Sequence, residues 1–258
     1  MIQDAARALL DARKNGTLVE PEILAGIATL ADAYEVQKTQ LQLSGETVAG
    51  WKIGATALAA QEILGMGHPI LGPVSASTVF QSGVDVKIRP NEALFIETEF
   101  AVTLGSDLPA RVTPYTRDEA AKAISKIHAC FELVGCRLAS GVKGAGHMIV
   151  ADHGVNAGVV LGGEIPRDHW NWLGEIPVDL EKNGAQVASG TSGATIWTHL
   201  FDAVAWVANQ QGKVARQLKA GDLILTGTCT GLLPLAPGDI FRATFGDIAQ
   251  VEVELTAG

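Results

Sequence analysis

The sequence predicts an α+β fold built on a mixed β-sheet, and three observations carry that prediction. Apolar runs of strand length come in clusters and do not alternate strictly with helices, which argues against a doubly wound sheet. Helical periodicity is concentrated in the first 45 residues or so. The last run alternates cleanly, with Val251, Val253 and Leu255 opposite Glu252 and Glu254, as a half-exposed antiparallel strand does.

Taken in order, residues 5–14 place Ala5, Ala6, Leu9 and Leu10 at helical spacing, and Asn15-Gly16 supplies a left-handed stop. Pro21 opens a second helix with Ile23, Leu24, Ile27, Leu30, Ala31 and Tyr34 on one face and Gly45 beyond its end. These two form an N-terminal helical lobe, residues 1–47, too small for a confident independent domain. Residues 48–258 form the β-rich catalytic part, and the whole may equally count as one domain. Strands are expected at 48–53, 84–88, 94–104, 131–138, 155–161, 176–182, 223–226, 240–245 and 248–255. Helices are expected at 117–129 and at 196–211, the latter carrying Ile196, Leu200, Val204 and Val207 on one stripe and stopping at Gly212.

Composition narrows the function classes. With 47% hydrophobic residues over 258 positions, the chain can bury a sizeable core. A formal charge of −9 disfavours nucleic-acid partners, which require a basic surface. The longest apolar stretches, such as residues 158–163, fall far short of the roughly 18 to 20 residues of a membrane span. Asp4, Arg7, Asp11 and Arg13 break any secretory apolar region, so a cytoplasmic location is expected. Cys130, Cys136 and Cys229 form neither a paired framework nor a CxxC motif, which leaves disulfide scaffolds and zinc ribbons without support.

The most informative run is 94–104. Read as a strand, it puts Phe95, Glu97, Glu99, Ala101 and Thr103 on one face, with the two glutamates about 6.5 Å apart at Cα. No Lys or Arg lies within the strand, so the two charges should raise each other's pKa unless a cation lies between them. Glu132 sits in an equally apolar run, sharing its face with Val134 and Cys136, while Arg137 points elsewhere. Three carboxylates with no thiolate and no spaced histidine pair suit a hard cation, Mg²⁺ or Mn²⁺ in preference to Zn²⁺. Spacing alone fits a solvated strand face at least as well. A paired-carboxylate glycosidase is disfavoured, because 5% aromatic residues leave little stacking surface for sugars.

Several motifs are collinear with a known family. Gly50-Trp51-Lys52-Ile53-Gly54 resembles its G-[FYW]-K-[VIM]-G signature, and His68-Pro69-Ile70-Leu71-Gly72 the turn that follows. Ile96-Glu97-Thr98-Glu99 is similar to its metal strand, and Phe131-Glu132-Leu133-Val134-Gly135-Cys136-Arg137 to its third-ligand segment. Ala151-Asp152-His153 stands where the family has Ala-Asp-Asn, and residues 221–228 and Pro237-Gly238-Asp239 resemble two C-terminal blocks. The family is the fumarylacetoacetate hydrolase superfamily, in its branch of 2-keto-4-pentenoate hydratases and 4-oxalocrotonate decarboxylases.

That resemblance implies a β-roll or barrel of the fumarylacetoacetate hydrolase C-terminal type with an N-terminal helical lobe, assembled as a homo-oligomer. It implies Glu97, Glu99 and Glu132 as ligands of Mg²⁺ or Mn²⁺ and a small 2-oxo or 2-hydroxy-dienoic acid from aromatic catabolism as substrate. Lys52 would stabilise the substrate's anionic oxygens or pass a proton, its pKa lowered by desolvation, although a surface lysine is the bland alternative. Asp152 is a catalytic candidate, as an orienter or an acid/base group. Ser192 and Thr228, in glycine-rich loops, are candidates for the substrate carboxylate, with a structural role as the alternative. The water-adding hydratase comes first, then a 2-oxo acid decarboxylase, a C–C bond hydrolase and a catalytically inert structural homologue.

Three departures bear on that order. The aspartate that hydratases often carry near residues 73–78 has no counterpart among Ser75, Ala76 and Ser77. Residues 191–197 and 226–231 look more like the hydrolase side of the superfamily. The histidine of the hydrolases' lid is missing from residues 55–61, and Glu62 is the acidic group left there.

Overall fold

A rolled sheet carries the fold, and among the described residues a second sheet and seven α-helices brace it from outside. The computed structural model describes residues 1–210, 213 and 216–258. Helices α1 (Ile2–Asn15), α2 (Pro21–Leu24) and α3 (Leu30–Ser44) lead into β1 (Val48–Gly54), α4 (Leu58–Leu64), β2 (Ile70–Ser75), β3 (Val79–Gln81), β4 (Asp85–Ile88) and β5 (Phe95–Leu104). Then come α5 (Arg117–Ala123), β6 (Ile124–Val134), α6 (Gly146–Ala151), β7 (Asn156–Glu164), β8 (Val178–Lys182), β9 (Ala185–Gly190) and α7 (Leu200–Asn209). Strands β10 (Leu223–Leu225), β11 (Leu233–Pro234), β12 (Ile240–Phe245) and β13 (Ala249–Ala257) close the chain.

Among the described residues the first sheet runs β2-β1-β10-β5-β6-β7-β3, with β11 paired to β5, and the second runs β4-β13-β12-β8-β9. The pairs β1–β10, β3–β7 and β4–β13 are parallel and the others antiparallel, so both sheets are mixed. The first sheet curls until β2 meets β7, and Val74, Ala101, Cys130, Val159 and Leu225 pack inside the curl. On its outer face Phe100 of β5 meets Phe245 of β12 edge-on, ring centres 5.1 Å apart, which joins the two sheets. Alternation thus gives β5 two jobs: Ile96, Phe100 and Val102 face the main core, and Glu97, Glu99 and Ala101 face into the curl. Ala5, Leu9 and Val36 belong to the same continuous core as the sheets, so the N-terminal helices pack directly on the barrel.

Several boundaries differ from the sequence reading, each for a physical reason. The helix expected from Pro21 to Gly45 is two helices, because Thr29 and Asp32 form a reciprocal capping box that starts α3 afresh after Gly26. The helix expected at 117–129 ends at Ala123, where the chain turns into β6 and pairs with β5 along its whole length. Ladder formation with a long central strand overrides the helical spacing of Ile124 and Ile127. Strand β6 then stops at Val134, short of 138, and α7 starts at Leu200 under a cap from His199, not at Ile196. Its expected end at Gln211 and Gly212 lies outside the described residues. Strand β2, missed in the sequence, contains Gly72 and Pro73; it lies at the sheet's edge, where proline costs no ladder bond. No helix among the described residues is long and apolar enough to cross a membrane.

Candidate metal centre

The register of β5 on β6 makes Glu97 and Glu132 direct partners, and Glu99 faces the next interior position, opposite Cys130. One oxygen from each of Glu97, Glu99 and Glu132 lies within 4.8 Å of the other two. Glu132 and Glu99 are fully buried, and Glu97 is half-buried at the edge. Lys52 on β1 shares the same interior, since Lys52 pairs with Leu225 and Leu225 with Ala101. Its Nζ lies 3.2 Å from Glu132 Oε1.

Three carboxylates against one ammonium leave the pocket short of positive charge. Burial, then Glu132, pushes Glu97 up to about 7, with Lys52 opposing. Burial and the charges of Glu132 and Glu97 hold Glu99 well above the usual carboxylate range, against Lys52 and the Gly227 amide. Lys52 departs from the expectation: desolvation pulls its pKa down, but Glu132, Glu97 and Glu99 together outweigh that and raise it. The ammonium is therefore a committed donor, while burial and mutual repulsion favour the protonated forms of Glu97 and Glu99 beside it.

Backbone and side-chain donors fix the carboxylates from behind. The Gly227 amide donates to Glu99 Oε2 at 2.8 Å. Gly227 sits at φ 105°, and a Cβ there would fall 2.3 Å from Thr56 Oγ1, so only glycine fits this turn. Asn156, at the head of β7, donates from Nδ2 to Glu132 Oε1 at 2.9 Å. Neither contact was read from the sequence: a single asparagine before an apolar run gives no signal, and a backbone donor gives none at all. Glu132 Oε2 is buried with no hydrogen-bond partner in the protein. An orphaned, buried carboxylate oxygen beside two further carboxylates, with oxygen the sole donor type, is the environment a hard divalent cation satisfies.

Asp152 stands one layer further out. Its carboxylate accepts from Arg137 Nε at 2.8 Å and from the Arg137 amide at 2.9 Å, and Arg13 Nη2 reaches it at 3.1 Å. Arg13 Nη1 in turn donates to the Asn156 carbonyl at 2.7 Å. Asp152 therefore bears on Glu132 through Arg13 and Asn156. Asp152→Ala would leave Arg137, 1% exposed, without its counter-charge. The expected cost is about 3 to 5 kcal/mol of stability, read by chemical denaturation. Asn156→Ala is expected to weaken divalent-cation affinity by about 10- to 100-fold with little change in melting temperature, as loss of a ligand's hydrogen-bond partner does; titration calorimetry with Mg²⁺ checks it.

Ser192 and Thr228 do not join the carboxylates in any contact among the described residues. The Ser192 hydroxyl donates to the Leu173 carbonyl at 3.1 Å, and Thr228 closes a turn by accepting from the Gly231 amide at 2.9 Å. Ser192 does line a small cleft with Thr195, Trp197 and Thr226, one residue before the Gly227 donor. Cys130 and Cys229 lie nearby, and burial raises both thiols well above their usual range.

Residues 50–256 match the model of the fumarylacetoacetate (FAA) hydrolase C-terminal family. The chain belongs to the fumarylacetoacetate hydrolase family. Within it, the relatives are of the hydratase and decarboxylase branch. The chain is 31% identical over 234 residues to the 2-hydroxyhexa-2,4-dienoate hydratase of Comamonas testosteroni, covering 88% of this chain and 87% of that one. It is 28% identical over 257 residues to the 2-keto-4-pentenoate hydratase of Paraburkholderia xenovorans, covering 98% and 94%. The fold is that of the 4-oxalocrotonate decarboxylase from Pseudomonas putida G7 complexed with magnesium and adipate, with a TM-score of 0.86, 24% identity and coverage of 98% and 97%. This family member thus has the α+β half-barrel and the enzymatic ancestry that its motifs imply.

Proposed function

We propose that this protein is a divalent-metal-dependent hydratase that adds water to a small 2-hydroxy-2,4-dienoate, or its 2-oxo-4-enoate tautomer, in aromatic catabolism. The observation that carries the reading is the convergence of Glu97, Glu99 and Glu132 inside the barrel beside a buried lysine. Full-length relatives named as hydratases of such acids support it. Glu97, Glu99 and Glu132 would hold Mg²⁺ or Mn²⁺, which when bound supplies Lewis-acid polarisation of the substrate's carboxylate and 2-oxygen.

The residues of the chain do the rest. Lys52 Nζ, desolvated and cationic, presents N–H donors to the oxyanion that develops at the 2-position, or gives a proton to the distal carbon as the dienol ketonises. Ketonisation leaves an α,β-unsaturated ketone, and water adds across it to give the hydroxy-oxo acid. Neutralising the carboxylates removes the field that holds the Lys52 pKa up and leaves desolvation to lower it, which eases that proton transfer. Asn156 and Gly227 orient Glu132 and Glu99, Asp152 positions Asn156 through Arg13, and Ser192 and Thr228 present the loops that face the substrate's carboxylate. A homo-oligomer and a cytoplasmic setting belong to the same reading.

The test is a metal-supplemented incubation with 2-hydroxydienoates, oxalocrotonate and acylpyruvates, read by product mass. Gain of water supports the hydratase. Loss of CO₂ would transfer the assignment to the decarboxylase reaction named for a relative 26% identical over 227 residues, chain cleavage to a hydrolase, and no turnover to an inert homologue.

A pH dependence follows from the Glu97 value of about 7. Its proton must leave before the cation binds, so affinity is expected to rise with pH through about 7, and the raised Glu99 adds to the same trend. Calorimetry of Mg²⁺ binding in two buffers of different ionisation enthalpy should find proton release below that pH. Uptake of protons, or affinity independent of pH, would contradict the shared-carboxylate site.

A further inference from the structure

The two ladders of β5 set rows of side chains around the mouth of the barrel. Strand β6 pairs Glu132 with Glu97 and Val134 with Phe95, and on the other side β11 pairs Leu233 with Ile96 and Pro234 with Phe95. One step back on that second register, Leu232 falls opposite Glu97. Ile96 and Leu233 pack on the main core, so alternation turns Leu232 to the face that Glu97 occupies. The inner row is thus Glu132, Glu97 and Leu232. The row outside it, about 6.5 Å further along the strands, is Val134, Phe95 and Pro234.

Apart from the two carboxylates, this wall is apolar and partly open to solvent. Leu232 is 49% exposed, Pro234 is exposed and Phe95 is half-buried. A single exposed leucine is ordinary, but this one stands one strand spacing, about 5 Å, from a metal-site carboxylate. Residues 91–97, 130–136 and 226–235, which build the rows, contain no Lys or Arg. Cations of the adjoining segments are already engaged: Arg89 by Glu92, Arg137 by Asp152, and Lys182, which also reaches the Pro234 carbonyl, by Asp239 at 2.8 Å. Lys52 is drawn to Glu132, at the other end of the inner row.

We propose that this wall selects the far end of the substrate: the site takes 2-hydroxydienoates that end in a hydrogen or a short alkyl group and turns away those that end in a second carboxylate. The inference rests on the reading of the barrel as a site for 2-hydroxydienoic acids, and it narrows that class to monocarboxylates. With the acid's carboxylate and 2-oxygen at the carboxylate cluster, its tail lies along Leu232 and Phe95. A methyl group there sheds water against apolar surface. A carboxylate there loses its hydration with no donor to replace it and meets the like charge of Glu97.

The test titrates the full-length protein, saturated with Mg²⁺, with 2-oxohexanoate and 2-oxohexanedioate by calorimetry. These unreactive acids differ only in a methyl or a carboxylate at C6. The methyl acid is expected to bind at least about tenfold more tightly, as an uncompensated charge at about 5 Å from another requires. Leu232→Arg puts a guanidinium into the wall at an exposed position. It should move the ratio towards the diacid by about tenfold or more, with the melting temperature unchanged. Turnover of 2-hydroxyhexa-2,4-dienoate and 2-hydroxyhexa-2,4-dienedioate is measured separately. If neither gains water while the binding order holds, the hydratase reading falls and the selection by the wall stands. Equal or tighter binding of the diacid, an order that Leu232→Arg leaves unmoved, or no saturable binding of either acid overturns the proposal.

Discussion

Glu99→Gln is expected to abolish tight divalent-cation binding and to lower kcat/KM for a dienoate by about a thousandfold or more, yet to make the metal-free protein more stable. The loss of rate follows from the several kcal/mol that a polarising cation supplies to a developing oxyanion. The gain in stability follows from the field inside the barrel. Glu99 is 1% exposed and shares its space with Glu97 and Glu132, so its folded pKa is raised well above the 4.5 of an ordinary glutamate. A carboxylate with a raised folded pKa holds its proton longer in the native state than in the unfolded one. Its contribution to stability is therefore lost as pH climbs past about 4.5 and continues to fall until the folded pKa is passed. Glutamine has no charge to desolvate, and its Oε1 can still accept the Gly227 amide. The melting temperature of the variant in chelator should exceed that of the parent, by a margin that widens as pH rises above the ordinary carboxylate range. With Mg²⁺ present the order should reverse, because only the parent gains the linkage term of a bound ligand. A variant that melts below the parent in chelator at every pH would show that the three carboxylates do not strain one another, and the metal centre would lose its physical basis.

How much of this could be read from residues alone depends on the range of the interaction. Strand alternation places Glu97 and Glu99 on one face, because a period of two is a local property of the chain; Arg137 lies beyond the end of β6 and is held away from Glu132 by Asp152 instead. The convergence of Glu132 on that pair is a matter of register between β5 and β6, and only the collinear motifs anticipated it. Residues 124–129 read as helix from their spacing but form strand for the same reason: what decides them is the ladder with β5, twenty or more residues away. The sign of the Lys52 shift was also beyond local reading. Desolvation alone lowers a lysine, and the reversal needs three carboxylates from two other strands. Asn156, Arg13 and the Gly227 amide escaped notice because they act at one remove, through bonds between segments more than a hundred residues apart in sequence or between neighbouring strands.

Lys52→Met separates a residue that competes with the cation from one that organises its site. The ammonium lies 3.2 Å from Glu132 Oε1 and is 4% exposed, so in the metal-free protein it neutralises part of the charge that a cation would otherwise meet. Methionine keeps the length and apolar stem of lysine and removes that charge. The pocket then holds three carboxylates with no counter-ion, and Mg²⁺ affinity is expected to rise by about tenfold or more, since a unit charge at 3 to 4 Å is worth over about 1.4 kcal/mol even at the effective dielectric of a partly solvated site. Turnover should move the other way. Loss of the donor at the substrate's oxyanion, or of the proton for its distal carbon, is expected to cost about 10²- to 10⁴-fold in kcat with the metal saturating. Affinity measured by calorimetry and single-turnover rates measured at saturating Mg²⁺ give the two readings independently. Tighter metal with slower chemistry assigns Lys52 to the reacting atoms. Weaker metal with slower chemistry would make it a positioning residue for Glu132, and unchanged chemistry would reduce it to a buried counter-charge that only the metal-free protein needs.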